Sequence, residues 1–253
     1  MHESIAKLLT LSHSLFRCGV PHFRENRYIP IRTASHFIVF DASRKSPLYT
    51  MLEVRPSGGP QVPREDNFTD GELTLSDDLC TTEADYAQWN REHPDQPYDK
   101  GHSAGSQYRR GNVTEQSDID TLAGVCPESP RMNRNVKGPL ESTILEKAED
   151  CSHTYLVQGP IWRENYPEKG QLPGGQWIPD AVFISALFIR KKSCGVYCWV
   201  MQNEEDATAA EVTLVDIEQL TGLYLWSNVG SGSFQTNRNK LQGDTWWMKG
   251  QPK

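Results

Sequence analysis

Three apolar runs in the second half of the chain, residues 153–159, 181–189 and 195–201, restrict its fold more than any other feature. Their apolarity is continuous rather than alternating, the pattern of strands covered on both faces. Further strands are expected at 28–31 and 35–41, the second rich in aromatic and β-branched residues. A turn from Asp41 to Pro47 then returns the chain through 48–54, which makes a hairpin. Helices are expected at 3–17, around 82–89, at 139–148 and across Thr213–Gly222. The first has Ile5, Leu8, Leu9 and Phe16 as its apolar face and ends at Gly19-Val20-Pro21. The third begins with Pro139 at its first position, where a missing N–H costs nothing, and lines up Leu140, Ile144 and Ala148. The last has a capping threonine and a glycine stop.

At 253 residues the chain can bury one good core, and a single domain is expected. A hydrophobic content of 37% with 23% charged residues is that of an ordinary soluble protein. No run reaches the roughly 20 apolar residues of a membrane helix. Residues 1–20 lack the apolar stretch and cleavage site of a signal peptide, so the amino terminus is expected to join the fold. A net charge of −7 argues against holding nucleic acid by bulk electrostatics. A local basic cleft is still compatible with it, because a phosphate feels charges within about 10 Å.

Six cysteines in a chain of this length are not a disulfide framework. Cys194 and Cys198 have zinc-like separation without a second pair, and are expected as buried thiols on one face of a strand. Asn67-Phe68-Thr69 and Asn112-Val113-Thr114 match the glycosylation pattern, which is too short to assign a compartment. From 55 to 97 the chain is mostly polar loop, and the tail from Gly230 is polar apart from Trp246-Trp247.

That loop leads into Tyr98-Asp99-Lys100-Gly101-His102. Neutral imidazole can take a proton from water near pH 7, which attack on a charged phosphorus requires. About thirty residues later come Asn133 and then Glu141. An amide oxygen is a suitable hard ligand for magnesium, which keeps several waters and often takes one or two protein oxygens. Glu141 could accept hydrogen bonds from those waters. Histidine, amide and carboxylate in this order point to phosphodiester hydrolysis with one bound magnesium ion.

Together these residues resemble the DNA/RNA non-specific endonucleases with a ββα-metal (His-Me finger) site, nearest the endonuclease G branch. Asp99-Lys100-Gly101-His102 is similar to that family's Asp-Arg-Gly-His motif, with lysine for arginine. The stretch from Gly124-Val125-Cys126-Pro127-Glu128 through Asn133 to Glu141 follows the family's spacing. The resemblance spans roughly residues 5–228 and leaves 229–253 as a polar tail. It implies an α+β fold with a mainly antiparallel central sheet flanked by helices. It further implies magnesium-dependent cleavage of DNA and RNA, with manganese as a substitute, and a homodimer.

By that resemblance His102 is the general base and Asn133 binds the ion. Glu141 orders the ion's water shell, Asp99 holds the motif, and Lys100 and Lys45 contact phosphate. Arg109, Arg110, Arg131, Arg134 and Lys137 are expected to line a phosphate-tracking groove. The sequence departs from the family at Gly124, where an asparagine is usual, at Glu128 for glutamine and at Lys137 for tryptophan. Pro139 falls where the family's helix is already under way. Lysines at 45 and 100 also replace bidentate clamps with point charges. A weakened or inactive relative that binds nucleic acid or a protein partner is the alternative these departures leave open.

Overall fold

Alternate residues of the apolar runs turn to opposite faces of one sheet. The computed structural model describes residues 18–21, 28–33, 35–54, 75–79, 81–109, 119–163, 167–191 and 193–229. Seven strands pair antiparallel throughout, in the order β1-β2-β3-β6-β7-β8-β9. They are β1 (Tyr28–Arg32), β2 (His36–Asp41), β3 (Ser46–Val54), β6 (His153–Ile161), β7 (Ala181–Ile189), β8 (Cys194–Gln202) and β9 (Ala209–Val212). Every residue of β7 is buried. Phe183, Leu187 and Ile189 join one apolar cluster, while Val182, Ile184, Ala186 and Phe188 join another. This period of two separates the faces.

The first cluster lies beneath α3 (Leu214–Thr221), which contributes Leu214 and Ile217. Local chemistry sets both ends of α3. Thr213 and Asp216 form a reciprocal capping box, and Gly222 stops the helix in the left-handed conformation at φ 70°. The 82–89 expectation is borne out as α1 (Glu83–Glu92), with Thr82 and Asp85 making the same box.

The second cluster is covered by a small ββα unit. Its hairpin is β4 (Asp99–His102) against β5 (Val125–Glu128), in the register Asp99 with Glu128 and His102 with Val125. A helix follows, supplying Met132, Ile144 and Ala148 to the cluster. This helix starts earlier than its proline suggests. Residues Arg131–Lys137 are π-helical and run directly into α2 (Gly138–Ala148), and Gly138 N–H donates to the Asn133 carbonyl. Pro139 has no N–H and its ring would strike the carbonyl four residues back, so the wider winding ahead of it keeps the helix continuous.

Both predicted strands of the early hairpin are present, as β2 and β3. Cys194 and Cys198 form no disulfide and share one face of β8, but only Cys198 is buried in the first cluster as expected; Cys194 is half-buried, packed against its edge. The 3–17 helix, the Trp246-Trp247 tail, Asn67 and Asn112 lie outside the described residues. No helix among the described residues is long and apolar enough to cross a membrane.

Candidate active site

His102 ends β4, where strand alternation turns its ring into the protein, and it is buried. Its Nε2 lies 2.8 Å from Asp120 Oδ1. Asp120 is equally enclosed. A carboxylate there holds the ring orientation and favours the tautomer with hydrogen on Nε2. Sequence reasoning missed Asp120. It lies between Ile119 and Leu122 with nothing in the local pattern to mark it as a histidine's partner, eighteen residues from His102.

At the other end of β4, Asp99 is a hub. Arg134 grips its carboxylate with two donors, Nε to Oδ2 at 2.7 Å and an Nη to Oδ1 at 2.5 Å. Asn133 Nδ2 also donates to Oδ2 at 3.1 Å. The amide is thereby anchored by its nitrogen, and its oxygen is the end left to accept. Strand and helix are thus joined through two candidate residues, Asp99 and Asn133. Arg134 remains 67% exposed although it is spent on Asp99.

Glu141 is buried on the first turn of α2. Gln107 Nε2 donates to its Oε2 at 3.0 Å, while Oε1 is buried with no partner of good geometry. Burial, the largest cause, lifts this carboxyl to about 7, although Lys137 pulls it down. Gly105 packs directly on the carboxylate, and any side chain at 105 would overlap it.

Glu128 and Lys137, two of the departures from the family pattern, are partners. Lys137 Nζ donates to Glu128 Oε1 at 2.6 Å, to Oε2 at 2.9 Å and to the His102 carbonyl at 2.6 Å. Both residues are almost wholly enclosed, Glu128 at 0% and Lys137 at 2% exposed. Burial works against the ammonium, but the Glu128 carboxylate holds its pKa above the ordinary lysine value. Removing one member of such a pair typically costs about 3–5 kcal/mol. Lys137 therefore does not line a surface groove with the arginines. Gly101 is needed for the same reason, because the Glu128 carboxylate lies on its α-carbon.

The other basic candidates are dispersed. Lys100 pairs with Glu83 of α1. Lys45 occupies the turn between β2 and β3 with φ 50°, and its stem lies near Gly175. Beside it Arg44 is buried, bonded to Asp41 at 2.9 Å and lying over Trp162 and Trp177 at 4.7 and 5.1 Å. Arg131 is exposed at the start of the helix. The Arg109 side chain and all of Arg110 lie outside the described residues.

Asn203 was also not foreseen. It uses its whole amide to pin the junction of β5 and the helix: Oδ1 accepts from Ser129 N–H at 2.7 Å, and Nδ2 donates to Pro127 and Pro179 carbonyls at 3.0 Å. Gln176 ties the hairpin to α1 by donating to the Val125 carbonyl and accepting from Tyr86.

No cluster of three or more His, Cys, Asp and Glu suited to a metal occurs among the described residues. The Asn133 amide oxygen and the Glu141 carboxylate are hard oxygen donors, a set that suits a hard divalent cation such as magnesium better than zinc, whose sites are built mainly on nitrogen and sulfur.

Comparison with known proteins adds four findings. The model of the family described as DNA/RNA non-specific endonuclease matches residues 20–231. A nuclease of Nostoc sp. is 28% identical over 149 residues, covering 55% of this chain and 54% of the relative. One from Serratia marcescens is 26% identical over 142 residues, covering 52% of each. The chain therefore spans about half the length of the curated relatives it matches. A chain in the crystal structure of the EndoG/EndoGI complex has the same fold, with a TM-score of 0.73 at 16% identity over 90% of this chain and 93% of that one.

Proposed function

The chain belongs to the DNA/RNA non-specific endonuclease family, and from that premise we propose that it hydrolyses phosphodiester bonds of DNA and RNA with little sequence preference. His102 takes the proton of the attacking water on Nδ1, while Asp120 holds Nε2 and stabilises the imidazolium that forms. Asn133, fixed by Asp99, would hold the ion through its amide oxygen, and Glu141 would accept hydrogen bonds from the ion's waters. Magnesium, or manganese in its place, supplies electrostatic stabilisation of the phosphate and of the departing 3′ oxygen.

Arg131 and, once released from their carboxylates, Lys100 and Arg134 contact phosphates. Lys45, Arg109 and Arg110 are further candidates for phosphate contact by the same resemblance. Such contacts carry little base information and weaken as salt displaces them. The motif resembles that of the endonuclease G branch, and a second copy of the chain is the partner that this resemblance implies.

The observation that carries the reading is the pairing of a carboxylate-held His102 with a carboxylate-held Asn133 on the hairpin and helix of one ββα unit. The test is incubation of supercoiled plasmid and of single-stranded RNA with magnesium, manganese or EDTA across a salt series. Cleavage of both substrates, stopped by EDTA and falling with salt, is expected. Binding without metal-dependent cleavage would contradict the proposal.

A further inference from the structure

Burying Glu128 and Lys137 calls for an explanation beyond stability. A buried ion pair seldom improves on well-packed apolar residues of the same volume, because desolvation offsets the attraction. An apolar pair could not supply the third bond that Lys137 makes. Its ammonium has three N–H donors, and the three contacts are the two oxygens of Glu128 and the backbone carbonyl of His102. The residue whose backbone is held is the one whose side chain serves as base.

The geometry connects every part of the ββα unit. Glu128 ends β5 opposite Asp99, and its side chain crosses over Gly101 toward the ammonium. Lys137 is the last residue of the π-helical stretch, immediately before Gly138-Pro139. Widening the helix ahead of the proline alters the angular position of everything in that stretch, and Lys137 ends up buried rather than on the groove. Gln158 of β6 approaches the same carbonyl at 3.4 Å, which adds a link to the central sheet.

We propose that Glu128 and Lys137 are positioning residues for His102: the ammonium, neutralised by Glu128, clamps the His102 carbonyl and so fixes the backbone from which the base projects toward Asp120. The consequence for cleavage rests on the functional reading above, whereas the effect on the ring does not. Misplacing a catalytic group by about 1 Å can cost on the order of a hundredfold in rate. A partial release of one backbone contact is expected to cost on the order of tenfold.

The test uses the full chain with both charges removed, Glu128→Gln with Lys137→Met, so that no lone charge is left buried. Three quantities are compared with wild type: the melting temperature, the ¹⁵N and ¹H resonances of the His102 ring, and kcat and KM on plasmid. The expected result is a folded protein with shifted or broadened His102 ring signals, kcat down about tenfold and KM within about twofold. Unchanged ring signals in a folded double variant would overturn the proposal. If that double variant does not fold, the apolar pair Glu128→Leu with Lys137→Met, which leaves neither a lone charge nor an unpaired polar group, is measured in the same way, with a shift of the ring signals in support and none against. A wild type that does not cleave at all would defeat the functional reading, and the ring resonances would still decide whether the pair positions His102.

Discussion

The two faces of the central sheet bury their neighbours in different ways. Beneath α3, Phe183, Leu187, Ile217, Leu225 and Trp226 make a close apolar cluster, in which the indole N–H of Trp226 is met by Ser185 Oγ at 2.9 Å. Beneath the ββα unit, a cluster of similar residue types is bordered by buried His102, Asp120, Glu128, Lys137 and Glu141. Both faces come from alternate residues of the same strands. Apolar burial adds stability roughly with area, whereas each buried charge costs free energy unless it is paired. The α3 face therefore holds the fold together, and the ββα face uses part of that stability to keep titratable groups in fixed positions.

That contrast can be broken from either side. The largest effect is expected from Phe183→Ala, which should cost about 3–5 kcal/mol in a denaturant melt. Cleavage per folded molecule should be unchanged, and a matching fall in kcat would show that the faces are not separable.

Next is Glu141→Gln. Because burial raises the native carboxyl to about 7, the folded protein binds this proton more tightly than the unfolded chain. The resulting stabilisation is complete below the unfolded value of 4.5 and is lost as pH rises through about 7. Glutamine cannot ionise. Measured in EDTA, the variant should gain on wild type as pH rises, by about 3 kcal/mol above pH 8. A melting-temperature difference independent of pH would remove the buried carboxylate from the account.

Asn133→Ala should lower kcat/KM by about a hundredfold, the effect of losing a few kcal/mol of electrostatic stabilisation, with little change in melting temperature. An unaltered magnesium titration would remove Asn133 as the ligand. The smallest change is expected at Thr213→Ala, about 1 kcal/mol for the lost cap of α3. It should leave the His102 ring signals untouched.

Much of this architecture was legible before folding. The apolar runs became β6, β7 and β8, the caps of α1 and α3 are written in Thr82-x-x-Asp85 and Thr213-x-x-Asp216, and the motif lies on a hairpin followed by a helix. What stayed hidden shares one cause. Glu128, Lys137 and Asp120 are charged residues, and a charged residue on paper looks solvated. Lys137 is buried at the end of the widened stretch before Pro139, and Asp120 is brought to His102 from eighteen residues further along the chain. The short β9 carries no apolar signal either, since Ala209 to Glu211 are exposed.

The central claim is that His102 is the base of a metal-dependent nuclease. The most direct measurement is the nicking of supercoiled plasmid in magnesium by wild type and His102→Ala at matched melting temperature. Wild type should nick the plasmid, and the variant should be slower by about 10²–10⁴-fold. A folded His102→Ala variant that nicks as fast as wild type would contradict the claim.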